Sequence, residues 1–248
     1  MWEIYDALIE NIPEGLHVKR VVAGSFWTAI ESELGTGIAG SPCTLTRPNI
    51  YRDSLIGMKL RDAAALSKSW NMVEASIGVA AMNAYYNTPE VSTQNGVILP
   101  KCAEDDRIND PYIFYQNMVL GKKVAGIGSS DMLETLMGDK CTLSIIGNET
   151  PGSYPMSAVD YLLPHQDFVY LPCSSITTKA LPRLLALASN AKVIICGPSI
   201  PLSPILHSFG ADDLAGFVVT DGDLAFNAAT GLGLKSMFGA GKKVNFKA

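Results

Sequence analysis

Gly126, Gly128, Ser129 and Ser130 stand together at the end of a short apolar run, and a helical pattern follows at once. Small residues at a strand tip let a ligand approach the backbone, which is how a nucleotide-binding βαβ unit opens. The third glycine of the usual dinucleotide signature is replaced by Asp131. Glu149 follows Gly128 by 21 positions, at the tip of the next apolar run. A carboxylate at that place can hold ribose hydroxyls, although Pro151-Gly152 also suits an ordinary solvated turn. The pattern points to a polar, nucleoside-like ligand, and the missing glycine handicaps NAD more than S-adenosylmethionine.

Three further run ends are also small and polar: Cys173-Ser174-Ser175-Ile176-Thr177-Thr178, Gly197-Pro198-Ser199-Ile200-Pro201 and Thr220-Asp221-Gly222-Asp223. The hydroxyls of Ser174, Ser175 and Thr177 either cap the helix that follows or, with backbone N–H groups, hold an anion. Cys173 is a candidate nucleophile or soft metal ligand, since a helix N-terminus favours thiolate; a buried structural cysteine is the plainer reading. Cys141 and Cys196, in or beside strands, are expected in the core. His17, His165 and His207 lack partners at ligand spacing, and neither a GxSxG elbow nor a P-loop lysine motif occurs.

The first half of the chain supplies the remaining candidates. Thr28 and Glu33 lie on or just after a predicted strand. Glu74, Asn83 and Asn87 lie on a predicted helix. Asn83 and Asn87 are four apart and share a helical face, and amides in so apolar a segment need partners, from the neighbouring domain or from a ligand. Glu74 is a candidate acid or base, or simply a first-turn carboxylate favourable to the helix dipole.

These residues need elements to position them. The spacing predicts a helix over Trp2–Asn11, three short antiparallel strands near 18–23, 26–32 and 37–40, helical sequence from Asp53, and a buried helix from Met72 to Tyr86 capped by Asn71. Residues 88–111 read as a polar connector, placing a domain boundary near 95, and Asp110-Pro111 starts a helix to about Leu120. Apolar strands follow near 123–127, 142–146, 168–172, 192–196 and 214–220, each with room for a crossover helix. The fold class is therefore α/β: an α+β domain over 1–95, then a Rossmann-like, doubly wound parallel sheet over 96–248. The glycine-rich tail from Gly231 reads as irregular, closing with an edge strand or in disorder.

Composition narrows the class. Of 248 residues, 48% are hydrophobic and 17% charged, with a net charge of −5, which suits a globular protein and not a nucleic-acid binder. Glu3, Asp6 and Glu10 make the start acidic, unlike a secretion leader, and no apolar run reaches the ~20 residues of a membrane span. Five scattered cysteines without a CxxC pair suit reduced thiols. A cytoplasmic protein with a small-molecule partner, without nucleic acid or membrane, is expected; a homo-oligomer is open.

Ala75-Ser76-Ile77-Gly78-Val79-Ala80-Ala81-Met82-Asn83-Ala84, with Trp27-Thr28-Ala29 before it and Gly197-Pro198-Ser199-Ile200-Pro201 after it, resembles the putative heavy-metal chelation domain family. This is a family of unknown function from anaerobes and archaea. The resemblance spans nearly the whole chain and implies an enolase N-terminal-like domain joined to a Rossmann-like domain, with a site between them. By position it points to Thr28, Glu74, Asn83, Gly126, Gly128 and Ser199. The chain has no cluster of Cys, His and carboxylates for direct metal binding, so action on a metal-chelating small molecule fits better than metal storage. Three readings stand: an enzyme-like protein with an interdomain cleft and Glu74 or Asn83 in the chemistry; a non-catalytic metal- or ligand-binding protein using Cys173; and a weaker S-adenosylmethionine-dependent transferase.

Overall fold

The computed structural model describes residues 1–42, 47–101, 109–128, 131–147, 151–231, 233 and 235–248. Its first unit begins with helix α1 (Glu3–Glu10) and three antiparallel strands, β1 (Arg20–Ala23), β2 (Trp27–Glu31) and β3 (Thr36–Gly40), in that order across a small sheet. Helices α2 (Leu60–Ala65), α3 (Met72–Tyr86) and α4 (Pro89–Gln94) follow. Asn71 caps α3 as expected, its Oδ1 accepting the N–H groups of Val73 at 3.0 Å and Glu74 at 3.1 Å.

The small residues of α3 have a packing reason. A Cβ on Gly37 of β3 would lie 1.9 Å from the Ala84 nitrogen, and one on Gly78 would lie 1.9 Å from the Ser67 nitrogen. The helix is thus pressed, backbone to backbone, between the sheet on one side and the turn after α2 on the other. That is why it is apolar all round.

Two expectations for this unit are corrected. Helical structure starts at Leu60 and not at Asp53, because the intervening chain pairs with an early segment: Val18 N–H bonds to Met58 O and Gly57 N–H to Val18 O. The supposed connector at 88–111 opens with α4, since Thr88 caps it through the Val91 N–H at 3.3 Å and Pro89 takes the first-turn position.

The second unit runs α5 (Pro111–Tyr115), β4 (Lys123–Ile127), α6 (Asp131–Met137), β5 (Thr142–Ile146), α7 (Val159–Leu162), β6 (Phe168–Pro172), α8 (Ser174–Thr177), α9 (Leu181–Leu187), β7 (Lys192–Cys196), α10 (Pro204–Ser208), β8 (Asp213–Val219), α11 (Gly222–Thr230) and β9 (Gly241–Lys247). The sheet order is β5-β4-β6-β7-β8-β9, with the first five parallel and β9 antiparallel to β8. The tail therefore closes with an edge strand. Helix α5 stops at Tyr115, short of Leu120, because the chain tightens into a three-residue turn with Met118 N–H on Tyr115 O.

The strand order reverses between β4 and β6, and in open parallel sheets the crevice for ligands lies beyond the carboxyl ends at such a point. The first unit docks on that same rim. One buried cluster runs through both units, joining Leu8, Ile30 and Val79 to Val169, Ile195 and Val218. No helix among the described residues is long and apolar enough to cross a membrane.

Candidate functional site

The loop after β7 grips α3. Asn83 Nδ2 donates to Ile38 O at 2.8 Å and to Ser199 O at 3.0 Å. One turn on, Asn87 Nδ2 donates to Ile200 O at 2.9 Å and Phe217 O at 3.2 Å, and its Oδ1 accepts the Leu202 N–H at 2.8 Å. Ser199 Oγ accepts the Gly40 N–H at 2.8 Å, tying β3 to the same loop. The structure therefore brings Asn83, Asn87 and Ser199 together, with the Asn87 amide wholly spent on joining the units. Asn83 Oδ1, in contrast, is buried with no hydrogen-bond partner among the described residues.

A hydroxyl-rich patch continues from this joint. Thr28 Oγ1, fully buried, lies 2.9 Å from Ser76 Oγ and 3.0 Å from Ser41 Oγ. Cys173 follows β6, and its thiol lies beneath Gly197, whose φ is +124°; a Cβ there would come within 2.4 Å of the sulfur. Glycine at 197 serves the backbone and makes room for the thiol. Burial pushes the Cys173 pKa up, while the Ser199 N–H and hydroxyl and the Ser174 N–H pull it back. The hydroxyls of Ser175 and Thr177 are buried without partners among the described residues, and no side chain caps α8. Ser174 is exposed.

The other expected residues are placed as follows. Gly126 lets α6 close on β4, since a Cβ would meet Leu133 at 2.6 Å; Gly128 turns the chain at φ +80°. Ser129, Ser130 and Glu149 lie outside the described residues. Glu74 is tied down: Oε1 accepts the N–H groups of Ile50 at 2.6 Å and Tyr51 at 2.8 Å, and Oε2 accepts the Ser69 hydroxyl at 2.5 Å. Glu33 accepts the His17 N–H at 2.7 Å, within the first unit. Asp221 caps α11 through the Leu224 N–H at 2.9 Å.

Lys179 is a residue that sequence reasoning missed. It follows the cap of α8 with φ +64°, its ammonium bonded to Ser69 O across the joint and 5.5 Å from the Trp70 ring centre. Burial lowers its pKa to about 8. Nothing in the local sequence distinguishes it from a surface lysine.

Gly197 and Pro198 have a second side. They also line a cavity of about 220 Å³ with Tyr112, Cys196, Phe217, Phe238 and Lys243. Cys141 and Cys196 both pack against the core as expected, each partly covered, and Cys196 also floors this cavity. Side chains alternate across a strand, so the cavity opens on the α5 side of the sheet, whereas Cys173 follows β6 at the joint with α3.

No group of three or more His, Cys, Asp or Glu side chains able to hold a metal occurs among the described residues. The joint offers one thiol, hydroxyls and amides. That donor set does not fit a directly coordinated metal ion, but it fits a polar molecule that itself carries donor atoms.

An α+β unit seated on the carboxyl rim of a doubly wound sheet, with polar side chains gathered at the seam, defines a two-unit α/β protein whose seam is the candidate site. The chain belongs to the family described as putative heavy-metal chelation, matched by two family models, over residues 5–86 and 113–247. It is similar to a protein of unknown function from Desulfitobacterium hafniense DCB-2, at 43% identity and a TM-score of 0.90, covering 100% of this chain and 99% of that one. A protein of unknown function from Pyrococcus horikoshii, at 20% identity and a TM-score of 0.75 over 99% of this chain and 98% of that one, shares the fold. No curated protein matches the chain.

Proposed function

We propose that this is a cytoplasmic, enzyme-like protein that binds a polar, metal-chelating small molecule at the seam between a unit over 1–95 and a unit over 96–248. The single observation that carries this reading is that Asn83 Oδ1, Ser175 Oγ and Thr177 Oγ1 are buried without partners among the described residues. They sit on α3 and α8, two elements that pack together at the joint. Unpartnered buried polar atoms are costly, and they gather where a ligand supplies the missing bonds. A chelator's oxygens and nitrogens match an amide oxygen and two hydroxyls. Thr28, Ser76 and Ser199 would hold the surrounding wall, and Gly128, with open space around it, would leave the backbone open to the ligand. The net charge of −5 speaks against nucleic acid as partner.

The test is a thermal-shift panel of catecholate, hydroxamate and aminopolycarboxylate chelators, each alone and loaded with nickel or zinc. At least one class should raise the melting temperature in a concentration-dependent way, and Asn83→Ala should abolish that rise. Uniformly flat melting curves would overturn the reading.

A second reading, non-catalytic metal handling through Cys173, is favoured by the hydrogen-bond donors of Ser199 and Ser174 that surround its thiol. Elemental analysis separates the two: stoichiometric metal in the purified protein that is lost in Cys173→Ser supports this reading at the expense of the first.

A further inference from the structure

The cavity on the α5 side of the sheet has a chemistry of its own. Phe217 is buried in its wall, and Phe238 packs edge-on against it at 5.8 Å between ring centres. Across from them Tyr112 is held in place by stacking on Tyr170, at 5.3 Å and 22° between ring planes. The floor is Cys196 and Ala215, side by side in the β7–β8 register. The space is therefore lined by three fixed aromatic rings and small floor residues, a shape that takes a flat ring. At about 220 Å³ it is smaller than the space around a drug-sized ligand.

The lining carries one cation, Lys243, and one carboxylate, Asp110. Lys243, on β9, lines the cavity with its ammonium 5.3 Å from the Phe238 ring centre and makes no salt bridge among the described residues. The acidic group on the lining, Asp110, is already engaged: Oδ1 accepts the N–H groups of Tyr112 at 2.9 Å and Ile113 at 3.3 Å as the cap of α5. A cation without a carboxylate partner, beside aromatic walls, suits an anionic end on a flat ligand.

We propose that this cavity is a second binding site, separate from the seam, for a small planar aromatic carboxylate whose ring lies among Tyr112, Phe217 and Phe238 and whose carboxylate pairs with Lys243. All its lining residues belong to the second unit, and Phe238 also packs edge-on against Trp27 of β2 at 6.0 Å between ring centres.

Titration calorimetry with benzoate, benzyl alcohol and benzylamine on the full chain tests it. Benzoate should bind saturably and most tightly, benzyl alcohol more weakly, and benzylamine least. Lys243→Gln should weaken benzoate about tenfold while leaving benzyl alcohol nearly unchanged, because it removes the charge and spares the walls. Ala215→Leu should fill the floor and abolish both; Phe238→Ala, at a partly exposed ring, gives the same direction should the filled floor disturb folding. Benzylamine binding as tightly as benzoate, benzoate binding indifferent to these changes, or no saturable binding of any of the three would overturn the proposal.

Discussion

Asn87, the C-cap of α3, and Leu202 beyond β7 are 115 positions apart in the chain and share a 2.8 Å hydrogen bond, Leu202 N–H to Asn87 Oδ1. The same amide donates to Ile200 O and Phe217 O, so one side chain satisfies three backbone groups of the other unit. All of this is buried. Asn87→Ala leaves those groups without partners, at about 1–3 kcal/mol for each one that water cannot reach. A total loss of about 3–5 kcal/mol in urea unfolding is expected. Asn83→Ala removes only two donations and should cost about 2 kcal/mol. Equal and small effects of the two would show that the amides do not hold the joint.

Gly37 and Gly57 make opposite predictions. A Cβ at Gly37 would meet the Ala84 nitrogen at 1.9 Å and the Ala80 oxygen at 2.3 Å, atoms of a helix backbone that cannot give way. Gly37→Ala should therefore cost more than about 3 kcal/mol, or prevent folding altogether. Gly57 has φ +85° and open space around it, so Gly57→Ala meets only backbone strain, about 1 kcal/mol. Melting temperatures of the two variants compare them directly. A Gly37→Ala protein that melts with the wild type would remove the close contact of β3 with α3.

This contact also shows which parts of the structure were legible beforehand. The five parallel strands could be read because runs such as Val193-Ile194-Ile195 are apolar on both faces, and a parallel sheet covered by helices demands that. Helix α3 was legible from Asn71 and from the small residues that its neighbours require. What failed was fixed by remote partners. The chain after Asp53 pairs with Val18, which no local pattern reveals. Asn83 and Asn87 plainly needed partners, yet whether a ligand or the second unit supplied them depended on the docking of two units. The cavity draws Tyr112, Cys196, Phe217, Phe238 and Lys243 from four stretches of chain, so its chemistry was invisible in any one of them.

Asp213 should make stability depend on pH in the unusual direction. Its carboxyl is fully buried, with Oδ2 3.1 Å from the Tyr115 hydroxyl and 3.4 Å from Asn245 Nδ2, and Oδ1 without a partner among the described residues. Burial raises its pKa from 3.8 to about 6, against the opposing pull of Tyr115, Lys247 and Lys192. The folded state thus holds a proton that the unfolded chain releases between about pH 4 and 6, so this group's contribution falls as pH rises through that window and is level above it. Two pH units correspond to about 3 kcal/mol. Other carboxylates shift the whole curve, so the comparison is with Asp213→Asn. Urea unfolding should show wild type gaining on the variant as pH drops from about 7 to 4.5. Parallel curves would mean that Asp213 ionises normally.

Cys173 and Ser199 allow a test of the seam that does not need a ligand. Burial is the larger influence on the thiol and raises its pKa; the Ser199 hydroxyl and N–H and the Ser174 N–H oppose it. Alkylation depends on thiolate, so the pH midpoint for Cys173 should lie above that of an ordinary thiol, about 8.5. Ser199→Ala deletes one donor and should move the midpoint higher still. It also loosens the Gly40 contact, which could speed access at every pH, but a change in access alters the plateau rate and leaves the midpoint where it was. Mass spectrometry of the Cys173 peptide across a pH series reads both quantities. A midpoint at or below the ordinary value, or one that Ser199→Ala leaves in place, would show that the thiol does not rest against Ser199.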